Sequence, residues 1–124
     1  ATKRLGRLGE REAWLYLRGR GYRLLARNVR VPMGEADLVC ETPDGTGVVV
    51  VEVKSRSRGV SARSDAIPPE AAVTPEKRRR LHAIAAHLKK CNGWQDRPVR
   101  VDVVAVEFDA QGRATVRHHE GRGV

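Results

Sequence analysis

Four side chains in this chain have the types and spacing to do chemistry together: Glu10, Asp37, Glu52 and Lys54. The segment Thr42-Pro43-Asp44-Gly45-Thr46-Gly47 reads as a tight connection between two strands. If Thr42 pairs with Gly47 across it, Asp37 falls opposite Glu52 and Glu35 opposite Lys54. Period-2 alternation then places all four on one face. Two carboxylates directly opposite each other repel, and Glu52 ends a run of four valines, where desolvation raises the cost. A divalent cation held by oxygen ligands offsets such a pair. Lys54, two residues on, points the same way and can stabilise a developing negative charge or orient a water. Glu-Val-Lys is also what the solvated end of a strand looks like, and the matching position of Asp37 is what argues against that plainer reading.

Further residues border the same region. Glu10 lies beside the apolar stripe of the first helix and can reach a site on the sheet edge; the plain alternative is a surface acid paired with Arg7 or Arg11. Lys77 lies one turn before Leu81, on the inward face of a later helix, near the site or a phosphate, or simply snorkelling to water. Arg78, Arg79 and Arg80 are consecutive, so their charges fan around that helix, towards phosphate or towards solvent. Asp102, inside Val101-Asp102-Val103-Val104, is expected to be a structural partner of Arg27, Arg30 or Arg100 rather than a metal ligand.

The elements that must position these groups follow from periodicity. Residues 3–20 predict a helix with Leu5, Gly9, Ala13, Tyr16 and Leu17 on one face, stopped by Gly19 and Gly21. Strands are predicted over 22–31, 35–41 and 48–54. In the last of these Val48 to Val51 has the unbroken apolar run of a strand covered on both faces. Residues 55–74 read as a long mobile loop with a short helical turn near Glu70 to Val73. Thr74-Pro75-Glu76 starts a second helix, with Thr as N-cap and Pro in the first turn, running to about Lys90 with Leu81, Ile84, Ala85 and Leu88 facing the core. Strands over 99–108 and 114–118 follow, then a tail expected to fray over 118–124. The order α-β-β-β-α-β(-β) predicts a mixed sheet with helices packed on it, in one domain over 1–124.

Composition narrows the partners. The chain has 124 residues with 24 Lys+Arg against 15 Asp+Glu, a net charge of +9. That balance points to a polyanion, most simply nucleic acid, although 19 of the 24 basic residues are Arg, which GC-rich coding alone would also produce. The aromatics are only Trp14, Tyr16, Tyr22, Trp94 and Phe108, without the clustering on which single-strand and RNA binders stack bases. Backbone contact with a duplex fits better. No apolar run is long enough to span a membrane and the first residues lack the apolar stretch of a secretory signal. Cys40 and Cys91 form neither a zinc set nor a disulfide framework, so free thiols in the cytoplasm are expected.

A wider pattern runs through these residues. Gly6-x-x-Gly9-Glu10-x-x-Ala13-x-x-Tyr16-Leu17, Gly21-Tyr22, Arg27-Asn28, Gly34-Glu35-Ala36-Asp37-Leu38, Val51-Glu52-Val53-Lys54-x-Arg56, Ala72-Val73-x-x-x-Lys77 and Arg100-Val101-Asp102-Val103-Val104 follow one another over about residues 5–106. This string resembles the YraN family, small bacterial proteins similar in fold to archaeal Holliday-junction resolvases. Asp37 with Glu52-x-Lys54 resembles the D…(D/E)-x-K core, PD-(D/E)XK, of the restriction-endonuclease-like superfamily. The segment 57–66 and the ending His118-His119-Glu120-Gly121 depart from the family's pattern. The resemblance implies a restriction-endonuclease-like α-β-β-β-α-β core. It implies Mg2+ or Mn2+ at Asp37 and Glu52, helped by the Val53 carbonyl, with Lys54 positioning water or stabilising charge. Glu10 would bind water around the metal or a second ion, and Glu35 would support Lys54. The expected activity is a metal-dependent endonuclease on branched or structured DNA, acting as a homodimer because two-fold substrates favour two-fold enzymes. Arg56, Arg58, Arg63, Lys77 and Arg78 to Arg80 are the expected approach surface. The rival readings are a non-catalytic nucleic-acid-binding module on a nuclease fold and, more remotely, a ribosome- or RNA-associated protein.

Overall fold

The computed structural model of the chain describes residues 2–57 and 67–124. Helix α1 (Thr2–Gly19) is followed by strands β1 (Arg23–Val31), β2 (Gly34–Glu41) and β3 (Val48–Ser57). A single 3-10 turn (Pro69–Ala72) leads into helix α2 (Pro75–Cys91), and strands β4 (Val99–Phe108) and β5 (Ala114–His119) complete the chain. The five strands form one sheet in the order β1-β2-β3-β4-β5. β3 and β4 are parallel and the other neighbours antiparallel, so α2 lies on the crossover that a parallel pair requires. This is the mixed-sheet α/β arrangement with an α-β-β-β-α-β core that the sequence predicts. No described helix is long and apolar enough to cross a membrane.

The valine run explains the layering. Val48 and Val50 pack with Leu81, Ile84, Ala85 and Leu88 of α2, while Val49 and Val51 pack with Ala13 and Leu17 of α1. All four valines are buried, each contributing about 1.5–3 kcal/mol by leaving water. α2 begins as its sequence demands, with the Thr74 hydroxyl accepting the Lys77 N–H at 3.2 Å and Pro75 at the first helical position. Gly9 is buried in α1 where a Cβ would come 2.7 Å from Ser55 Cβ. The missing side chain lets α1 settle onto β3 and brings Glu10 over the sheet.

Two expectations about the chain's segments need correction. Residues 55–57 belong to β3 rather than to a loop, because they continue the parallel ladder to Phe108. Arg58 and Arg63 lie outside the described residues. The tail is pinned rather than frayed: β5 runs to His119, the Val101 N–H donates to the Arg122 carbonyl (3.3 Å) and the Val124 N–H to the Val99 carbonyl (2.7 Å). Its anchor is Asp102, fully buried, which accepts from Arg100 (3.0 and 3.1 Å), His118 (2.7 Å) and the Gly121 N–H (3.1 Å). Of the three arginines expected as partners for Asp102, Arg100 is the one found, and it also reaches the Tyr22 hydroxyl at 2.6 Å.

Candidate active site

The register inferred from the Thr42–Gly47 turn is the one observed: Glu41 faces Val48, Cys40 Val49, Val39 Val50 and Leu38 Val51. The backbone pairing ends there, one step short of Asp37 and Glu52. Instead the Asp37 side chain takes over, its Oδ2 accepting the Val53 N–H at 2.7 Å. The strands therefore part at the two acids, and the opening is a hollow of about 270 Å³ lined by Glu10, Asp37, Glu52, Val53, Lys54 and Ser55, with Leu5 and Gly6 at its rim.

Beside this opening β1 departs from regular strand geometry. Asn28, opposite Asp37, has φ +49°, a left-handed conformation that Asn tolerates better than most residues. Alternation breaks across it. Ala26 and Val29, three apart, pack into the same core layer, as do Ala36 and Val39 on β2. Period-2 counting consequently fails for Glu35. It does not face Lys54 but forms an exposed ion pair with Arg30 Nε at 3.1 Å. Lys54 turns back to Glu52, its Nζ 3.4 Å from Oε2.

Electrostatics single out Asp37. Burial raises its carboxyl first, and a hydrogen bond with the Glu52 carboxyl and that group's charge raise it further; the Val53 N–H and Lys54 pull back, leaving it pushed up to about 7. Glu10 is also raised, by burial and then by the charges of Asp37 and Glu35, against the opposing Arg27. Among the described residues no three His, Cys, Asp or Glu side chains converge as a metal-ligand group, so the centre is a pair with Glu10 standing off. A pair suits Mg2+, which commonly keeps several waters and takes one or two carboxylates, the rest coming from substrate phosphate.

The expected basic surface divides. Arg56 is not on it: its guanidinium is turned onto buried Glu107 at 3.3 Å and is largely covered. Glu107 also receives Arg117, which grips Glu70 of the 3-10 turn at 2.7 and 2.8 Å. Lys77 is exposed rather than facing the core, as are Arg78, Arg79 and Arg80. Of these four, Lys77 and Arg80 line a second hollow that shares Glu52 with the first. The roles of Asn28 and of Gly9 against Ser55 were missed from sequence; a glycine inside an apolar helical stripe was the available signal for the second. A larger hollow, about 490 Å³, lies at the far end of the sheet between the β2–β3 turn and the start of β4. Its acid, Asp44, is held at about 2 by hydrogen bonds from the hydroxyl of Thr42 and the N–H and hydroxyl of Thr46, so it lacks the strained chemistry of the acid pair. Cys40 is buried and Cys91 exposed, both as free thiols.

Comparison with known proteins adds relatives. The model of the Uncharacterised protein family UPF0102 matches residues 9–106. A UPF0102 protein of Anaeromyxobacter dehalogenans is 43% identical over 92% of this chain and 79% of its own length. One from Symbiobacterium thermophilum is 43% identical over 94% and 92%, and one from Thermus thermophilus 50% identical over 82% and 81%. Among solved structures, EndoMS with double-stranded DNA aligns at a TM-score of 0.43 and 20% identity, over 73% of this chain and 32% of that one. Pyrococcus furiosus SfsA with Ca2+ aligns at 0.42 and 17%, over 98% and 64%.

Proposed function

The chain belongs to the uncharacterised protein family UPF0102, and from that premise we propose that it is a metal-dependent endonuclease hydrolysing phosphodiester bonds in branched or otherwise structured DNA. The observation that carries this reading is the Asp37–Glu52 carboxyl pair lining one open hollow beside Lys54, with the Val53 N–H on Asp37 at 2.7 Å and Lys54 Nζ 3.4 Å from Glu52. A fold gains nothing from two acids forced together, and phosphodiester hydrolysis needs such a pair.

Asp37, Glu52 and the Val53 carbonyl would hold Mg2+ or Mn2+, with Glu10 contacting it through water. The ion would supply Lewis acidity and a water of lowered pKa. The chain's own groups do the rest. The Val53 N–H fixes the Asp37 carboxyl in orientation. The proton that Asp37 retains to about pH 7 must leave before the pair can bind a cation. Glu10, already raised by burial and then by its neighbours' charges, is suited to accept the proton released as the water oxygen bonds to phosphorus. Lys54 places its positive charge where negative charge accumulates on the phosphoryl oxygens while the bond to the leaving oxygen breaks. A branched substrate of two-fold symmetry would be met by a homodimer.

Cleavage of a labelled four-way junction, compared with plain duplex, in Mg2+, Mn2+ or EDTA tests the reading. Cutting should require metal and fall by about 10²-fold or more in Asp37→Asn, Glu52→Gln and Lys54→Ala. Tight binding without cleavage in either metal would overturn it and leave a nucleic-acid-binding module.

A further inference from the structure

We propose that the hollow on the α2 side of Glu52 is a phosphate subsite, in which Lys77 and Arg80 hold the backbone phosphate next to the one being cut. This rests on the nuclease reading for the word "next", but the phosphate seat itself is argued from the hollow. It measures about 140 Å³ and is lined by Gly34, Glu35, Glu52, Lys77, Arg80 and Leu81, with room for a few groups the size of a water at about 30 Å³ each. Glu52 forms part of both hollows. A strand whose reacting phosphate lies over Asp37 and Glu52 on one side of that residue brings a neighbouring phosphate to the other.

Three features make the hollow a seat rather than a stretch of basic surface. Lys77 and Arg80 are three residues apart on one helix face, so both cations reach one spot; Arg78 and Arg79, exposed on the same turns, do not line it. The two acids present are already engaged, Glu35 by Arg30 at 3.1 Å and Glu52 by Lys54 at 3.4 Å, and among the described residues neither Lys77 nor Arg80 forms an ion pair. Gly34 supplies the floor. A Cβ there would lie 3.1 Å from Ile84 Cδ1 and 3.5 Å from Arg80 Cδ. Its absence lets α2 sit down on the β1–β2 turn, with the Arg80 stem against Gly34.

The two paired variants Lys77→Ala/Arg80→Ala and Arg78→Ala/Arg79→Ala remove the same charge from the same helix turns. Binding of a short duplex is measured against salt in EDTA, where no cleavage occurs, and cut positions are then mapped in Mg2+. The Lys77/Arg80 pair should weaken binding about tenfold and reduce the salt slope by about one phosphate contact, with Lys77→Arg/Arg80→Lys restoring most of it. The Arg78/Arg79 pair should lose about twofold or less. With metal, the Lys77/Arg80 variant should also spread its cut positions. Equal losses from the two pairs would overturn the subsite, reducing these residues to general charge. Absence of cleavage in the unsubstituted protein would instead sink the nuclease reading and leave the binding comparison to decide the subsite.

Discussion

Asp37 and Asp102 are both aspartates set in apolar strands of the same sheet, and burial raises both. They end in opposite states. Around Asp102, hydrogen bonds from His118, Arg100 and the Gly121 N–H outweigh burial and hold the carboxyl below the ordinary carboxylate range. Around Asp37 there is one N–H and one lysine, set against a second carboxyl, and the group is pushed up to about 7. Gly121 itself is there because a side chain would collide with the Val101 carbonyl. Asp102 is a satisfied anchor that ties β4, β5 and the tail together. Asp37 is left short of positive charge at the mouth of a hollow, as a group kept for a ligand would be.

The largest difference between the two should appear in stability. Asp102→Ala leaves Arg100 and His118 facing an empty buried position and should cost about 3–5 kcal/mol. Asp37→Asn removes a repulsion and should stabilise by about 0.5–2 kcal/mol. Urea unfolding monitored by circular dichroism measures both, and losses of the same sign would erase the distinction. Next in size is Gly9→Ala, whose Cβ meets Ser55 Cβ at 2.7 Å. Overpacking here should cost about 1–3 kcal/mol and lift Glu10 from the hollow; Ser55→Gly in the same chain should recover much of the loss. If Ser55→Gly recovers nothing, α1 is not seated by this contact.

The smallest effect is a slope with pH. Asp37 is raised in the folded chain, so between its ordinary 3.8 and about 7 the folded state holds a proton that the unfolded state has lost. Stability from this group is present at acid pH and falls as pH rises through that window, by at most about 1.36 kcal/mol per pH unit. Asp102 is lowered, so its contribution is present above its ordinary 3.8 and is lost as pH falls below that value. Thermal melts of Asp37→Asn should lack the first slope and keep the second. Mg2+ should raise the melting temperature of the unsubstituted protein above pH 7, where the cation no longer competes with the proton. A melting temperature indifferent to Mg2+ there would count against the acid pair as a metal site.

Much of this was legible before any coordinates. The helix boundaries followed from the Thr74 cap, Pro75 and the glycines after α1; the both-faces-buried strand followed from four consecutive valines; the register followed from the turn between Thr42 and Gly47. That Asp102 would pair with an arginine was legible as well, because a lone acid in an apolar strand has to find a cation; that Arg100 rather than Arg27 or Arg30 supplies it was not. The errors cluster where the chain departs from regular geometry. Glu35 was assigned to Lys54 by counting in twos, but the β2–β3 ladder stops at Leu38 and Val51 and Glu35 pairs with Arg30 instead. Arg56 was assigned to the approach surface by charge, while Glu107, 51 residues away in the chain, claimed it. The tail was expected to fray over 118–124, whereas the buried Asp102 carboxylate of β4 takes His118 and the Gly121 N–H.

The sequence by itself determined which residues could do chemistry here and which strands would carry them, since residue type and period are local properties. It also determined that two acids would stand opposite each other. Only the tertiary structure decided that the strands part just there, that Asp37 is buried beside Glu52 and pushed up to about 7, and that Lys77 and Arg80 line a second hollow with the same glutamate. Those outcomes depend on where the β2–β3 ladder ends, on burial beneath two helices and on the seating of α2 over Gly34. Each is a contact between residues distant in the chain, which no local pattern encodes.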